Sequence, residues 1–289
     1  MNLLIVDSFH HKNQLGLNMI IKELNINYKY GTINDILDYD IIYSPINPID
    51  TSKYPNKKFI FGPHFSVFPD NKLSRINNVY KNSVYIQPSD WARDVWIKKG
   101  AGTILPIKTF PFPVETEKFK PLIFFDELEK TEVFIYFKRR HPQELQYIKE
   151  FLENKNISYK IFDYVNHYSE LDYINTLQHA KYGIILDAHE SQGFAIEEAL
   201  ACNVPLLVWN VKFMSQEHGS RYPDIPATNI AYWDARCGEY FYTKETFEAT
   251  YNKFISNIAT YKPREYIIEN LSTVRCATRF IELINCFDV

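Results

Sequence analysis

Two glutamates in the second half of the chain have the spacing and surroundings to bind a ligand that carries phosphate and several hydroxyl groups. Glu190 and Glu198 are separated by seven residues, and Gly193 lies between them. The pattern predicts a buried strand that ends near Leu186, a polar loop, and a helix that begins at about Gly193. The N-terminus of such a helix presents free backbone N–H groups and the positive end of the helix dipole, which favour phosphate. A glycine there lets phosphate approach the backbone closely.

The same segment predicts a site for a sugar nucleotide. Glu198 lies about five residues into the helix, roughly 7 Å along its axis, which suits the ribose hydroxyls of a nucleotide whose phosphate binds the helix N-terminus. Glu190 precedes the helix and can accept hydrogen bonds from hydroxyls on the other side. The neighbouring Glu197 is expected to be solvated. The alternative for Glu190 and Glu198 is a pair of solvated carboxylates beside an ordinary helix.

This segment resembles the donor-site signature of retaining glycosyltransferases with the GT-B fold, particularly the glycogen synthase-like and sucrose synthase-like clan. Asn203 stands where that clan usually has Gly, and Asn tolerates a left-handed conformation better than other non-glycine residues. The resemblance extends over approximately residues 1–275. The residues that match the signature in register are Glu190, Gly193, Phe194, Glu198, Ala199, Ala201 and Pro205.

The resemblance implies roles for individual residues. Donor diphosphate binding is expected at the start of the helix and at the basic residues that end the first strand of the second domain, although which basic residue makes the contact is open. These diphosphate-binding candidates are Gly193, Phe194, Ala195, Lys138, Arg139 and Arg140. The donor sugar is assigned to Glu190, Ser191 and Gln192, and the ribose to Glu198. A catalytic role is assigned to Glu190 and to His64.

Residues of the first half complete the candidate site. His64 follows a predicted buried strand, and the family often has a histidine at a comparable place near the donor sugar; a structural loop histidine is the alternative. His10 and His11 fall in the first predicted strand-to-helix loop, which is otherwise an ordinary polar loop. Ser89 lies in a strand-to-helix turn similar to that of the family and can cap the following helix. His10, His11 and Ser89 are the candidate acceptor-side residues.

No metal ligand set is evident in the sequence. Asp38 and Asp40 form an Asp-x-Asp pattern, which binds a metal and a nucleotide in glycosyltransferases of the GT-A fold. Here the pattern precedes the strand predicted at 41–43 instead of following a strand, so a strand-entry turn is expected. The adjacent His10 and His11 are a poor metal site without further ligands. We therefore expect no essential metal and no cofactor besides the nucleotide-diphosphate sugar as co-substrate.

The elements that would position these residues alternate between short apolar runs and amphipathic stretches, which predicts an α/β fold with parallel sheets. Two Rossmann-like domains in tandem are expected, with their sheets facing a shared cleft. Three prolines at 109–121 mark the boundary between them. The domains are residues 1–112 on the acceptor side, residues 113–265 on the donor side, and a C-terminal helix, 266–289, that crosses back to the first domain.

The predicted positions of the elements follow from these patterns. Strands are expected at 3–6, 41–43, 59–61, 84–86, 103–105, 133–137, 159–162, 182–186 and 205–209. Helices are expected at 15–24, 89–98, 143–154, 169–179, 193–202, 244–261 and 264–285. A loop-rich stretch is expected at 210–238.

Composition narrows the class of protein. The chain has 289 residues and a formal net charge of −3, so its overall charge gives no reason to bind nucleic acid. Its four cysteines are far apart, which favours reduced thiols and a cytoplasmic location. No apolar run approaches the ~20 residues that span a bilayer. A peripheral contact with a membrane is left open.

The sequence thus predicts a glycosyltransferase of the hexosyltransferase type. It would move a sugar from a UDP- or GDP-sugar to a hydroxyl of a glycan, a lipid or a small molecule, with retention and without metal. One alternative is an epimerase or a phosphorylase of the same fold, which would form product without an acceptor or need phosphate or pyridoxal phosphate. Another is a silent protein that binds the nucleotide and turns nothing over.

Overall fold

The apolar runs of the sequence form the interiors of two parallel sheets, each with helices packed against it. These features are seen in a computed structural model, which describes residues 1–76, 82–122 and 130–288. The chain divides into two compact units: unit 1 comprises Met1–Pro113 and Leu271–Val289, and unit 2 comprises Val114–Asn270. The predicted α/β class with two Rossmann-like units is confirmed. The assignment of acceptor and donor to separate units stays a prediction.

The secondary structure follows the alternation of the sequence. The strands are β1 (Asn2–Val6), β2 (Asn27–Gly31), β3 (Ile41–Ser44), β4 (Lys58–Phe61), β5 (Ser83–Gln87), β6 (Ile107–Thr109), β7 (Glu132–Lys138), β8 (Lys160–Asp163), β9 (Ala180–Asp187), β10 (Leu206–Trp209) and β11 (Gly238–Phe241). The α-helices are α1 (His11–Glu23), α2 (Asp90–Lys98), α3 (Pro142–Asn154), α4 (Glu170–His179), α5 (Phe194–Ala201), α6 (Lys244–Ser256), α7 (Pro263–Leu271) and α8 (Thr273–Asn285).

Unit 1 has the strand order β2-β1-β3-β4-β5-β6, with all pairs parallel. Its central strands are buried on both faces, as expected for a parallel sheet covered by helices. On one side Tyr85 stacks on Trp96 at 4.2 Å between ring centroids. On the other side the C-terminal helix α8 packs on α1, and Phe280 of α8 meets Phe110 at 5.8 Å between centroids.

Unit 2 has the strand order β11-β10-β9-β7-β8, again entirely parallel. The central strand β9 is packed closely enough that a Cβ atom at Gly183 would lie 2.3 Å from the ring of Phe134. Arg264 fastens the start of the unit to α5, since its guanidinium donates to the carbonyls of Thr116, Phe119 and Ala201. These contacts join the start of the unit to the C-terminal end of α5.

Several predicted elements are placed differently in the structure. The strand predicted at 103–105 is wrong: Ala101–Thr103 is a 3-10 helix, and the strand is β6, which begins at Ile107. The helix predicted from residue 15 begins at His11, so the polar run that looked like loop forms its first turn. The single helix predicted at 264–285 is two helices, because Ser272 caps α8 by accepting from the backbone N–H of Arg275.

Two strands at sheet edges had no counterpart in the prediction. β2 is Asn-Tyr-Lys-Tyr-Gly and is exposed over nearly its whole length, so it lacks the apolar run that indicates a strand. β11 is Gly-Glu-Tyr-Phe, buried at its two ends and partly or fully exposed between them, so it also lacks an apolar run. Both strands are held by backbone hydrogen bonds to one neighbour, which sequence patterns do not record.

The described part of the chain contains no helix that combines the length and the apolar character needed to cross a membrane. The four cysteines are free thiols: Cys202, Cys237 and Cys276 are buried, and Cys286 is exposed.

Candidate functional site

The candidate site of unit 2 lies at the carboxyl edge of its sheet, where β7 and β9 end side by side. Lys138 ends β7, Asp187 ends β9, and the two residues are register partners in the parallel pair. The loop after β9 carries Glu190 and leads into α5. Ligands of open parallel sheets bind at this edge, because loops and helix N-termini gather there. Residues far apart in the sequence are therefore brought to one place.

The first turn of α5 has the geometry of an anion site. Gly193 is its N-cap residue and has a left-handed backbone with φ of 95°, which glycine adopts without strain. No side chain among the described residues caps this end by a hydrogen bond. The N–H groups of Phe194 and Ala195 belong to the first turn, which lacks acceptors within the helix. The carbonyl of Ala195 accepts from the hydroxyl of Tyr173, 2.8 Å away, which fixes the turn to α4.

Lys138 contacts the residue that borders this helix end, Glu190. Its Nζ forms an ion pair with Glu190, and it lies 4.5 Å from the ring centroid of Tyr164. A Cβ at Gly193 would lie 3.5 Å from Cβ of Glu190, so Glu190 borders both Lys138 and the start of α5. Burial opposes the charge of Lys138, but the neighbouring acidic residues Asp187 and Glu190 outweigh burial and raise its pKa. Lys138 is thus a charged, fixed ammonium.

Arg139 and Arg140 differ sharply although they are adjacent. Arg139 has a left-handed backbone with φ of 51°, and its half-exposed side chain pairs with Glu217 at 3.2 Å. Arg140 is turned inward and is 2% exposed. Its guanidinium binds both carboxylate oxygens of Glu144, at 2.6 and 2.8 Å, and donates to the carbonyls that end β9 and β10, those of Asp187 and Trp209. Of the three predicted diphosphate ligands, Arg140 is therefore the one whose guanidinium holds the ends of two strands together.

The three glutamates around α5 have different environments. The expectation that Glu197 is solvated is wrong: its side chain is 1% exposed, and Oε2 accepts from the amide of Gln192. Burial raises the pKa of Glu197 well above its ordinary value. Glu198 is also buried, in the fifth position of α5 as the spacing predicted. Ser191 is exposed in the loop, whereas Gln192 is turned into the protein toward Glu197.

Sequence reasoning missed two polar residues that shape this edge. Asp187 is 1% exposed, and its Oδ1 accepts from the N–H of Ala188. Asn229, fully buried, donates from Nδ2 to the carbonyls of Asp187 and Trp209, the same two that bind Arg140. A charged residue at the end of an apolar strand was the available signal for Asp187. Asn229 had no such signal, because its partners are 20 and 42 residues away.

In unit 1 the structure brings the predicted histidines to one place, at the carboxyl edge of that sheet. His10 is the N-cap residue of α1, and its ring lies 4.8 Å from that of His11 and 6.3 Å from that of His64, measured between centroids. The amide of Asn13 approaches Nε2 of His64 at 3.3 Å. Because the amide nitrogen donates, Nε2 accepts, and the ring proton of the neutral imidazole lies on Nδ1.

His64 is expected to be neutral at physiological pH. Burial, together with the nearby charge of His10, lowers its pKa from 6.5 to about 4. The neutral form in the folded state should therefore stabilise the protein above pH 6.5, and this contribution is lost as pH falls toward 4. An NMR titration of the imidazole signals, with His64→Gln to identify the resonance, should show His64 titrating near pH 4. Asn13→Asp should raise this pKa, and an unchanged value would contradict the contact with Asn13.

Ser89 occupies the N-cap position of α2, as predicted, but its hydroxyl makes no capping hydrogen bond. The side chain is 1% exposed, and Oγ has no hydrogen-bond partner in the described structure.

Asp38 and Asp40 lie immediately before strand β3, as predicted, and do not follow a strand. Within residues 1–76, 82–122 and 130–288, no three His, Cys, Asp or Glu side chains converge as metal ligands. Metal independence stays a prediction.

Two units with parallel sheets in these strand orders match the GT-B fold. Comparison with solved structures agrees. A sucrose-phosphate synthase from Thermosynechococcus elongatus superposes with a TM-score of 0.57 at 9% identity, over 99% of this chain and 98% of that one. The lipopolysaccharide outer core galactosyltransferase WaaB gives 0.57 at 11% identity, over 99% of each chain.

A third structure of the same kind is WaaG, a glycosyltransferase involved in lipopolysaccharide biosynthesis. It superposes with a TM-score of 0.50 at 9% identity, over 98% of this chain and 99% of that one. No protein-family model and no curated protein matches the sequence. At these identities the likeness establishes the fold, and the chemistry has to be argued from the residues.

Proposed function

We propose that the protein is a retaining glycosyltransferase that moves a sugar from a UDP- or GDP-sugar to a hydroxyl acceptor without a metal ion. One observation carries the proposal: a fixed ammonium, Lys138, and the uncapped N-terminus of α5 border the same residue, Glu190, in a GT-B fold. A cation beside free backbone N–H groups suits a diphosphate. Retention and the choice of donor follow from the resemblance of the segment 190–205 to the family.

The proposed mechanism is mainly electrostatic. As the bond to the sugar breaks, negative charge grows on the leaving diphosphate. Lys138 and the first turn of α5 are already oriented toward that charge and need no reorganisation. The leaving group therefore needs no metal for its stabilisation. Arg139, half-exposed and paired with Glu217, can reach the outer phosphate by exchanging one anion for another.

The remaining residues bind the two substrates. Glu198 would accept hydrogen bonds from the ribose hydroxyls. Glu190 would accept from hydroxyls of the transferred sugar, with Ser191 beside it in the loop. His64 would act as a neutral hydrogen-bonding partner of the sugar, because its low pKa leaves it uncharged near pH 7. His10, His11 and Ser89 are proposed for the acceptor, which they would hold in place for reaction.

Nucleotide binding tests the proposal directly. Calorimetry with UDP, GDP and their sugar conjugates, with and without a chelator, should show one base bound in the presence of the chelator. Glu198→Ala should weaken that binding about 10- to 100-fold, since hydrogen bonds to a charged group contribute ~1.5–3 kcal/mol. Glu198→Gln should lose less, because it keeps the shape of the side chain.

The matched control is Glu248→Ala, which removes an exposed glutamate of α6 in the same unit. It should leave nucleotide affinity within twofold of the wild type. Melting temperatures of all variants separate lost binding from lost folding. If neither nucleotide binds, or if binding needs a metal and ignores Glu198, the donor-site assignment is wrong.

A further inference from the structure

Asp187 lies at the centre of the donor site and has no role in the function proposed so far. It is the last residue of β9, and its register partner on β7 is Lys138. Its side chain is buried, with Oδ1 accepting from the N–H of Ala188 at 2.7 Å, and it is hydrogen-bonded to the side chain of Glu190. Glu190 in turn pairs with Lys138. The carboxyl groups of Asp187 and Glu190 and the ammonium of Lys138 therefore form one group of three interacting side chains at the edge of the sheet.

The charges in this group do not balance if both carboxyl groups are ionised. Lys138 can neutralise one carboxylate, and Glu190 is the one that it contacts. A hydrogen bond between two carboxyl groups requires a proton on one of them, and two buried carboxylates in contact share one proton. Burial and the neighbouring Glu190 raise the pKa of Asp187 well above its ordinary value. Asp187 is the more deeply buried partner and the one that holds the proton.

We infer that Asp187 is a positioning residue of the donor site, which in its protonated form donates to Glu190 and keeps the group with Lys138 neutral where the donor diphosphate binds. The inference rests on the proposed function for the identity of the ligand. The neutral group leaves the field of the α5 N-terminus uncancelled. An ionised Asp187 would add a negative charge next to an anionic ligand and could no longer donate to Glu190.

Other groups face this pair from the surrounding elements. They are Tyr136, Lys138 and Arg139 from β7 and its end, Tyr164 after β8, Tyr173 from α4, His189 from the loop, Glu197 from α5, and Glu217. Burial lowers the pKa of His189, so that histidine changes charge on the acid side of its ordinary value. Burial raises the pKa values of Tyr136 and Tyr173. A loss of affinity that accompanies deprotonation of Asp187 is thus a property of the carboxyl pair.

The experiment measures the affinity of a nucleotide sugar against pH. The probe is UDP-glucose or GDP-mannose, whichever matches the bound base, because its diphosphate has no titrating oxygen between pH 6 and 9. Wild-type affinity should fall about fivefold or more across the pH at which Asp187 loses its proton, a pH that the titration of its ¹³C carboxyl signal locates; this is the size expected for one added charge at close range. Asp187→Asn carries an amide that donates to Glu190 at every pH, and its affinity should change by less than twofold.

Two further variants make the result specific. Asp187→Ala should bind more weakly than Asp187→Asn throughout the range, because alanine cannot donate to Glu190. Asp163→Asn, which changes another strand-end aspartate of unit 2, should keep the wild-type pH dependence. If Asp187→Asn retains the pH dependence, or binds as poorly as Asp187→Ala, Asp187 is not a proton-donating positioning residue and the inference is wrong.

A second measurement needs no ligand. In protein labelled with ¹³C at the aspartate carboxyl groups, one signal should titrate well above the ordinary value of 3.8 and be absent from Asp187→Asn. If the missing signal instead titrates at or below 3.8, Asp187 is ionised near neutral pH and the inference fails even where nucleotide binds. If no nucleotide binds while the signal behaves as expected, the proposed function fails and the shared proton stands.

Discussion

Replacing Arg140 with alanine is expected to lower the free energy of unfolding of unit 2 by ~3–5 kcal/mol, which is the cost of removing one partner from a buried, hydrogen-bonded charge pair. Arg140 binds Glu144 through two hydrogen bonds and ties the carbonyls of Asp187 and Trp209, which end two adjacent strands. Its guanidinium also lies 5.6 Å from the ring centroid of Trp209. For a unit of this size the melting temperature should fall by about 6 to 15 °C.

The adjacent residue provides the matched control. Arg139→Ala removes the same charge from a half-exposed side chain that contacts Glu217 at 3.2 Å, so it should lower stability much less than Arg140→Ala, by ~1 kcal/mol or less. Thermal unfolding of both variants, followed by circular dichroism, gives the comparison. If Arg140→Ala melts like the wild type but loses nucleotide affinity, Arg140 is a diphosphate ligand and its assignment to a structural role is wrong.

The contrast between these arginines marks a limit of prediction from sequence. The run Lys138-Arg139-Arg140 was correctly recognised as the end of the first strand of unit 2, because the apolar alternation stops there. Which side chain points inward depends on the left-handed backbone of Arg139 and on carbonyls 47 and 69 residues farther along the chain. Neither feature leaves a local pattern. The position of the basic residues was predictable from the sequence, but which of them points into the protein was not.

The strands likewise differ in how well the sequence predicts them, according to their place in the sheet. The strands that lie within the two sheets are largely apolar runs, so their composition predicts burial on both faces. The edge strands β2 and β11 have one neighbour each and carry exposed residues, so their composition resembles that of loops. The shift of the strand predicted at 103–105 to β6 has a similar origin: the short apolar run there packs a turn against the core, and the more polar Ile-Lys-Thr pairs with β5.

The glutamates in and before α5 show how much of the site the Glu-x7-Glu spacing predicted. The seven-residue spacing placed Glu190 before the helix and Glu198 in its second turn, as the structure has them. The expectation that Glu197 is solvated was wrong because it assumed that α5 has one face exposed to solvent. Most residues of α5 are buried instead. Its partner Gln192 lies in the preceding loop. Burial of the whole helix is a property of the packed unit and is not visible in eight residues.

Replacing Lys138 with methionine is expected to weaken the binding of UDP or GDP by about 30- to 100-fold, while the unit stays folded. Methionine keeps the length and the packing of the side chain and removes its charge. A buried ammonium that donates to a phosphate oxygen contributes ~2–3 kcal/mol, which corresponds to that loss. Lys138→Arg, which retains a cation at the end of β7, should lose less. Calorimetry at pH 7 with the bound nucleotide gives the affinities, and melting curves without ligand show whether the fold is intact.

The loss in Lys138→Met has two physical sources, and a double variant separates them. Removing the ammonium takes away an attraction to the diphosphate, and it also removes the ion-pair partner of Glu190 beside the ligand. Lys138→Met with Glu190→Gln removes the unpaired carboxylate, so any recovery relative to Lys138→Met measures repulsion by Glu190. We expect recovery of less than about fivefold, because Glu190 keeps its hydrogen bond with Asp187 once the cation is gone. Full recovery would mean that Lys138 only neutralises Glu190, and the diphosphate would then be held by the N-terminus of α5 and Arg139.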